Sequence, residues 1–208
     1  MVHSSNTTMT KRTLLAISLP TIAIMMLASP VIAEAVSSFS AVAEANKKEV
    51  NAVVISSVDI LETGAYGYGV ITSAGLEGIL VTTTHGGVQD SAAQSDASDA
   101  SFHNHYVALT DDVDDAKCPG LEVVDITWDE PGDVTVIDNV AVFDGPAKFK
   151  STHSLTGEKV KFKTNGPVGL AVSFTIDPVD ATGTTSLTDI QAVCINDVTP
   201  ATTLVDNS

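Results

Sequence analysis

The sequence predicts an all-β protein, an antiparallel β-sandwich or barrel of about eight to ten short strands. From residue 50 onward the chain consists of short runs rich in Val, Ile and Thr, which favour strands. Gly, Pro, Asp and Asn separate these runs at nearly regular spacing. No run after residue 50 has the apolar period of a helix, so the sheets are expected to make the whole core.

A cleavable signal peptide is predicted over residues 1–35. Lys11 and Arg12 precede a long apolar run that ends in small residues, and this is the pattern of a secretory leader. Cleavage is expected after Ala33 or Ala35, and Met9 is an alternative start. A retained membrane anchor is the competing interpretation, because the run approaches the roughly 20 residues that a spanning helix needs.

The remainder of the chain is expected to contain one β-domain. Residues 36–49 are small and polar and predict a lead-in arm or a short helix. Residues 50–198 are long enough for a single hydrophobic core. Residues 199–208 predict a flexible tail. No second apolar run approaches membrane length, so no stable membrane insertion is expected once the leader is removed.

The strand candidates of this domain alternate with turn-forming segments. The segment TGAYGYG is interpreted as a glycine-rich turn, with Tyr66 and Tyr68 as an aromatic face. The polar segment 86–101 has no apolar period and predicts an exposed loop. In chain order the strand candidates are VNAVVISSVDIL, VITS, GILVTTTH, FHNHYVALT, LEVVDITW, VTVIDNVAVF, AKFK, EKVKFK, PVGLAVSFTI and SLTDIQAVCI.

The chain is strongly acidic, with 26 Asp and Glu against 10 Lys and Arg and a net charge of −16. This balance argues against a nucleic-acid partner, because phosphate binding needs clustered positive charge. Five lysines alternate with apolar residues in one hairpin and predict an exposed face that protects a sheet edge. A basic stripe for an anionic surface is the alternative. These lysines are Lys148, Lys150, Lys159, Lys161 and Lys163.

Three of the five histidines fall on two neighbouring strand candidates. His103 and His105 are two residues apart, so their side chains share one face of a strand. That face continues into Val107 and Leu109, which are apolar. His85 ends the preceding strand candidate on its apolar face. If the two strands pair, all three histidines converge at the same end of the sheet.

Such a cluster predicts a transition-metal site made of His85, His103 and His105. Neutral imidazole suits zinc, copper and iron, and copper or zinc is expected here. Each ring should offer its second nitrogen to a hydrogen-bond partner, with Thr83, Asn104 and the acidic segment 111–115 as candidates. The alternative is that the histidines only pack or face solvent.

The two cysteines, Cys118 and Cys194, predict one disulfide, the usual state of a cysteine pair in an exported protein. The bond would close a loop of about 77 residues, for which the chain-entropy model gives roughly 4.5 kcal/mol as an upper guide. A metal-bound thiolate is the competing interpretation. Together with the leader, the cysteine pair predicts a secreted or cell-surface location.

The FHNH segment resembles the Phe-His-X-His ligand strand of copper/zinc superoxide dismutases. The resemblance implies a β-sandwich in which His103 and His105 are copper ligands and Cys118 and Cys194 form the disulfide. It covers these four residues in their order. The chain has no counterpart of that family's zinc-binding loop, and His85 precedes the pair, where the family has no ligand.

These observations favour a secreted acidic β-domain that binds copper or zinc through a histidine cluster. A structural or adhesive surface module without metal is the alternative. A metalloenzyme, such as a superoxide-dismutase-like oxidoreductase, is a further candidate that would need an open coordination position. No nucleophile motif is visible, and the sequence does not assign catalytic residues.

Overall fold

Six antiparallel strands close into a barrel, and a second sheet packs against one side of it. The structure, a computed structural model, describes residues 30–111, 117–164, 166–180, 190–202 and 204–205. A 3₁₀ turn at Gly75–Glu77 joins two of the strands. The helix and strands are α1 (Pro30–Ser37), β1 (Phe39–Ala45), β2 (Glu49–Ser56), β3 (Tyr66–Thr72), β4 (Ile79–Thr84), β5 (His103–Thr110), β6 (Leu121–Ile126), β7 (Val134–Ile137), β8 (Val140–Pro146), β9 (Lys148–Thr152), β10 (Lys159–Lys163), β11 (Val168–Asp180), β12 (Ile190–Pro200) and β13 (Leu204–Val205).

The barrel strands follow the order β3-β4-β5-β6-β12-β11, and β11 returns to pair with β3. Each of these pairings is antiparallel. The second sheet has the order β13-β1-β2-β8-β7 and is antiparallel except where β13 runs parallel to β1. The predicted all-β, antiparallel class is confirmed, with a barrel and a packed sheet together. The described residues form thirteen strands, more than the eight to ten expected.

Two hydrophobic cores result from the alternation of side chains along the barrel strands. Leu80 and Tyr106 point out of the barrel and pack with Val54 and Phe143 of the second sheet. The alternate residues, among them Val81, point into the barrel. All six residues of β4 are buried, because both of its faces are covered. This explains why its sequence, ILVTTT, contains no charged residue.

The segment interpreted as a glycine-rich turn bends at residues 64–65, where Gly64 has a positive φ, but residues 66–69 belong to strand β3, so that interpretation is wrong for them. Tyr66 and Tyr68 are fully buried in the core between barrel and sheet. The intervening glycines face the barrel interior, where space is short. A Cβ on Gly67 would lie 2.4 Å from the Thr82 carbonyl oxygen and 3.0 Å from the Phe174 ring. Glycine is needed here for close packing rather than for a turn.

Two segments outside the predicted strands also join the second sheet. Residues 39–45 form β1, which differs from the arm or short helix expected for residues 36–49. Phe39 and Ala41 alternate into the core, and this burial favours a strand although the residues are small. In the segment expected as a tail, β12 extends to Pro200 and β13 pairs with β1. Residues 203 and 206–208 lie outside the described residues.

The predicted signal peptide lies outside the described residues as far as residue 29. Its last residues belong to α1, and the end of this helix is fixed to the barrel. The Tyr68 hydroxyl donates a hydrogen bond to the Ala35 carbonyl at 3.1 Å. The Ser173 hydroxyl donates one to the Val36 carbonyl. In the part of the chain that is described, no helix has both the length and the apolar character to cross a membrane.

Cys118 and Cys194 form the predicted disulfide, so neither thiol is a metal ligand. Cys194 lies on β12 opposite Glu122 of β6, and Cys118 lies three residues before β6 begins. Strands β6 and β12 share two residue pairs, fewer than any other neighbouring strands of the barrel. The covalent bond therefore lies beside the shortest pairing in the barrel wall.

The lysine-rich segment forms a hairpin of β9 and β10 whose inner face packs on the barrel. Phe162 stacks on Tyr106 with ring centroids 5.7 Å apart. The five lysines lie on the outer, exposed face, and Lys161 lies directly opposite Lys150. Among the described residues, none of the five has a carboxylate within 4.0 Å. The half-buried hairpin predicted from the alternation is therefore observed.

Replacing both cysteines by alanine is expected to lower the free energy of unfolding by about 2–4 kcal/mol. The disulfide restricts the unfolded chain across 76 residues, and removing it increases the entropy of the unfolded state. Urea denaturation of the wild type and the Cys118→Ala/Cys194→Ala variant measures the difference. Wild-type protein under reducing conditions is the control and should lose a similar amount. A change under about 0.5 kcal/mol would contradict a stabilising role.

The Lys161→Ala variant is expected to change the free energy of unfolding by less than about 1 kcal/mol, with stabilisation as the favoured sign. The reason is that the substitution removes a like-charge contact across the hairpin. Val160→Ala, at the adjacent buried position, is the control and should be clearly destabilising. A loss above about 2 kcal/mol from Lys161→Ala would show that the lysine face is tightly paired.

Candidate metal centre

Strand pairing brings three histidines together at one end of the barrel. In the β4–β5 ladder, Thr83 lies opposite His103 and Val81 lies opposite His105. His85 follows the last residue of β4, at the same end as the start of β5. His103 and His105 are each 1% exposed and His85 is 9% exposed. The pairing and the convergence expected from the sequence are therefore both present.

The histidine side chains form a close-packed set. The Nε2 atoms of His85 and His103 are 3.2 Å apart. The His103 ring lies edge-on to the other two rings, with centroid distances of 4.9 Å to both His85 and His105. This arrangement directs ring nitrogens toward a common point rather than stacking the ring faces.

A carboxylate, Asp90, completes the cluster. Its Oδ2 atom lies 3.2 Å from His85 Nε2, and its Oδ1 atom lies 3.2 Å from His103 Nε2. The same Oδ1 atom is 3.5 Å from His105 Nε2. One carboxylate therefore faces the Nε2 atoms of all three histidines.

The polar loop 86–101 holds Asp90 over the histidines. The Gln94 side chain accepts hydrogen bonds from the backbone N–H groups of Asp90 and Ser91. Its amide nitrogen donates to the carbonyls of Val88 and Asp99. Gln94 and Ser91 are both buried. The prediction of an exposed loop is thus wrong for these residues, because the loop folds around a buried glutamine that fixes the backbone at Asp90.

Backbone carbonyls determine which ring nitrogen carries hydrogen in two of the histidines. His103 Nδ1 lies 2.8 Å from the Ser101 carbonyl oxygen, and His105 Nδ1 lies 2.7 Å from the Thr127 carbonyl oxygen. A carbonyl oxygen only accepts, so each Nδ1 must donate its hydrogen. In the neutral ring Nε2 then has a lone pair and no hydrogen. Both Nε2 lone pairs face Asp90.

The cluster consequently contains buried electron-pair donors without partners. Among the described residues, neither Asp90 Oδ1 nor His105 Nε2 has a hydrogen-bond partner, although both atoms are fully buried. A buried polar atom without a partner costs on the order of 1–3 kcal/mol. Lone pairs that face one another at 3.2–3.5 Å repel unless a cation lies between them. A cation at this position would satisfy the unpaired atoms at once.

The electrostatics of Asp90 favour its ionised form. Burial alone would raise the pKa of the Asp90 carboxyl, because a low-dielectric surrounding disfavours charge. When the histidine rings are protonated, the charge of the His105 ring and hydrogen bonds from the three histidines outweigh burial and hold this pKa well below its usual range. A carboxylate that stays ionised at neutral pH is available as a metal ligand.

The spacing of three of these side chains fits metal coordination. Ligand atoms of His85, Asp90 and His103 all lie within 4.8 Å of one another, and the group could hold a metal ion. Bonds of about 2.0–2.1 Å in a tetrahedron place ligand atoms about 3.3 Å apart. The nearest atoms of each pair are 3.2 Å apart, close to that value, with His85 and His103 contacting different oxygen atoms of Asp90. His105 lies beside this group through its contact with Asp90.

Some of the expected hydrogen-bond partners lie elsewhere. Thr83 Oγ1 contacts His103 Nε2 at 3.4 Å and not the second nitrogen. Asn104 points away from the histidines and donates to the carbonyls of Asp133 and Asp144. Of the acidic segment 111–115 only residue 111 is described, so most of that candidate lies outside the described residues. The partners observed are backbone carbonyls, which the side-chain pattern does not reveal.

His153 is buried but lies outside the cluster and has a structural role. Its Nδ1 atom accepts hydrogen bonds from the N–H groups of Leu155 and Thr156 in the β9–β10 turn. Its Nε2 atom donates to the Val124 carbonyl at 3.2 Å. Both ring nitrogens are thus occupied by backbone groups. In contrast to His153, His105 has an Nε2 atom without a hydrogen-bond partner among the described residues.

Asp90→Asn is expected to destabilise the metal-free protein by about 3 kcal/mol or more at about pH 5, because it leaves buried histidines without their carboxylate. The folded-state pKa of Asp90 is lowered, so its stabilisation is complete above the unfolded-state pKa and is lost as the pH falls below about 4. The free-energy difference between wild type and variant should therefore shrink at lower pH.

Urea denaturation of chelator-treated protein across this pH range measures that difference. Asp59→Asn, which removes one exposed carboxylate, is the control. A difference between wild type and Asp90→Asn that stays constant down to about pH 2.5 would contradict the lowered pKa.

Comparison with protein-family models, with curated proteins and with solved structures finds no match to this chain. The likeness to copper/zinc superoxide dismutases therefore rests on the FHNH segment and the cysteine order alone. The disulfide of that likeness is present. Asp90 is the acidic residue beside the histidines that could serve as a metal ligand, and it precedes His103 and His105 in the chain. A function for the protein must be argued from the geometry of this cluster.

Proposed function

We propose that the protein is an exported domain that binds one divalent zinc or copper ion through His85, His103, His105 and Asp90. The observation that supports this most directly is the set of buried electron pairs that face one another in the cluster. Two ring nitrogens and a carboxylate oxygen approach within 3.2–3.5 Å with no hydrogen available between neutral groups. A single cation at their centre removes the repulsion.

A metal ion suits the cluster better than protons do. One proton can be shared by only one nitrogen–oxygen pair, and the remaining lone pairs would still face each other. Protonation of all three rings would place three positive charges around one carboxylate in a buried site, at a high cost in desolvation. A divalent ion with one carboxylate leaves a single net positive charge and uses every lone pair. The charge therefore favours metal.

His85, Asp90 and His103 form the core of the proposed ligand set because their ligand atoms are mutually close. His105 is proposed as the fourth ligand. Its free Nε2 atom is buried and faces the same carboxylate oxygen as His103. Backbone carbonyls already orient two of the rings, as outer-shell partners do in metalloproteins.

The donor atoms narrow the choice of metal. Three imidazoles and one carboxylate are typical ligands of zinc and copper, whereas calcium prefers six or more oxygen atoms. Divalent copper is generally bound more tightly than zinc at such sites. We therefore expect both ions to bind in solution, with copper the tighter.

Export is proposed from the leader pattern and is compatible with the disulfide, since such bonds persist in oxidising compartments. Of the two cleavage positions, the one after Ala33 agrees better with the fold. Cleavage after Ala35 would remove the carbonyl that accepts the Tyr68 hydrogen bond and a residue that is buried in the core.

Titration calorimetry of Zn²⁺ and Cu²⁺ into the domain, purified without a histidine tag, tests the proposal. One ion per chain should bind. Asp90→Asn and the His103→Ala/His105→Ala double variant should each lose more affinity than the roughly 10–100-fold typical of outer-shell changes. Affinity should also fall below about pH 6, because protons compete for imidazole nitrogens.

Asp96→Asn is the matched control for Asp90→Asn, because it removes an exposed carboxylate from the same loop. It should leave metal affinity unchanged. Equal affinity in the wild type and the double variant, or no binding tighter than micromolar, would end the metal proposal. The exposed lysine face would then favour a structural or adhesive surface module, the second candidate function.

A further inference from the structure

A cavity of about 70 Å³ lies inside the barrel and reaches the histidine cluster. Four of its lining residues are polar, Thr83, His85, Asp90 and His105, and all four belong to the cluster end. Every other lining residue is aliphatic or aromatic, among them Val107, Val123, Val172, Phe174 and Ile195. The cavity therefore has one polar end and otherwise apolar walls.

Water is a poor occupant of the apolar part. A buried water needs two to four hydrogen-bond partners, and cavities lined by aliphatic and aromatic side chains stay dry. The polar partners here are confined to the cluster, where the proposed metal would use them. Packing forces favour filling the remaining space, because wall atoms without neighbours lose dispersion contacts.

A second cavity, of about 60 Å³, lies against the same cluster. It shares five lining residues with the first cavity, His85, Asp90, Ile126, Ile176 and Val193. Its wall also includes the exposed residue Gly86 and the partly exposed Leu155. The two cavities therefore meet at the cluster, one extending into the barrel and the other toward the surface.

We propose that the barrel interior is a binding site for a small neutral apolar molecule that lies next to the metal. The volume sets an upper limit on size, since a cavity of about 150 Å³ accepts benzene and this one is about half as large. The uncharged walls exclude ions, whose desolvation they would not repay. The position beside the metal rests on the proposed function, whereas the cavity itself does not.

Xenon is a suitable probe because it is neutral, apolar and small, and it occupies dry protein cavities. Methyl NMR spectra of chelator-treated protein under increasing xenon pressure should show saturable shifts at Val107, Val123 and Val172. The variant Val107→Ile, which adds one methylene inside the cavity, should reduce the apparent xenon affinity several-fold. Val142→Ile is the matched control, because Val142 is 45% exposed on the outer face of the second sheet.

The position of the occupant is tested with cobalt. Co²⁺ is paramagnetic and accepts the same ligands as Zn²⁺. Xenon bound beside the cluster should relax faster in the Co²⁺-loaded protein than in the Zn²⁺-loaded protein. Removal of Co²⁺ with a chelator should abolish that difference while leaving the xenon-induced methyl shifts in place.

The outcomes separate the two proposals. Saturable xenon binding without metal binding would overturn the metal site and leave the apolar cavity site intact. Metal binding with no saturable shift at the cavity methyl groups, or with shifts that Val107→Ile does not reduce, would overturn the apolar site alone. Xenon binding with equal relaxation in the Co²⁺ and Zn²⁺ forms would place the occupant away from the metal and overturn the proposed adjacency.

Discussion

Pairing between β3 and β11 converts a six-stranded sheet into a closed barrel, and the placement of the functional groups follows from this closure. In a closed barrel every second residue of each strand must fit into one narrow interior. Gly67 has no side chain, and this leaves room in the interior for the Phe174 ring. The rings of His103 and His105 point to the same interior as Val107. The apolar walls then isolate the histidines from solvent.

Isolation from solvent is what makes the cluster chemically unusual. In water, the lone pairs of Asp90 and the histidines would be satisfied by hydrogen bonds, and the groups would separate. Here the backbone carbonyls of Ser101 and Thr127 hold two rings in one orientation. The Gln94 side chain holds the loop that carries the carboxylate. Repulsion between buried electron pairs is therefore built into a rigid frame, which is the arrangement expected of a preorganised cation site.

Strand periodicity predicts much of this structure. Residues two apart share a face, so the sequence alone places His103 and His105 together and points them toward an apolar interior. The disulfide follows equally from the presence of two cysteines in a chain whose sequence predicts a leader. In both cases a short-range rule connects residue type to position. The pairing of β4 with β5 then brings His85 to the pair, because β4 and β5 are consecutive strands joined by one loop.

The same rules fail where contacts decide the structure. Asp90 belongs to a loop that also contains Asp96 and Asp99, and no period distinguishes the one that turns inward. Only the buried Gln94, bonded to backbone groups on both sides of the loop, selects it. The Tyr-Gly alternation of β3 favours a turn when the sequence is considered alone, because glycine is common in turns. Its true cause is the ring of Phe174, which lies more than 100 positions along the chain.

Because of where the disulfide lies, its oxidation state affects whether water reaches the barrel interior. A closed barrel is expected to open first where its strand pairing is shortest. Strands β6 and β12 share only two residue pairs. On either side of Cys194, Val193 and Ile195 line the central cavity. Reduction of the disulfide would leave only these two residue pairs between β6 and β12. Separation of the two strands would then admit water to the walls that keep the cluster dry. An oxidising environment thus preserves the low dielectric around the histidines as well as the fold.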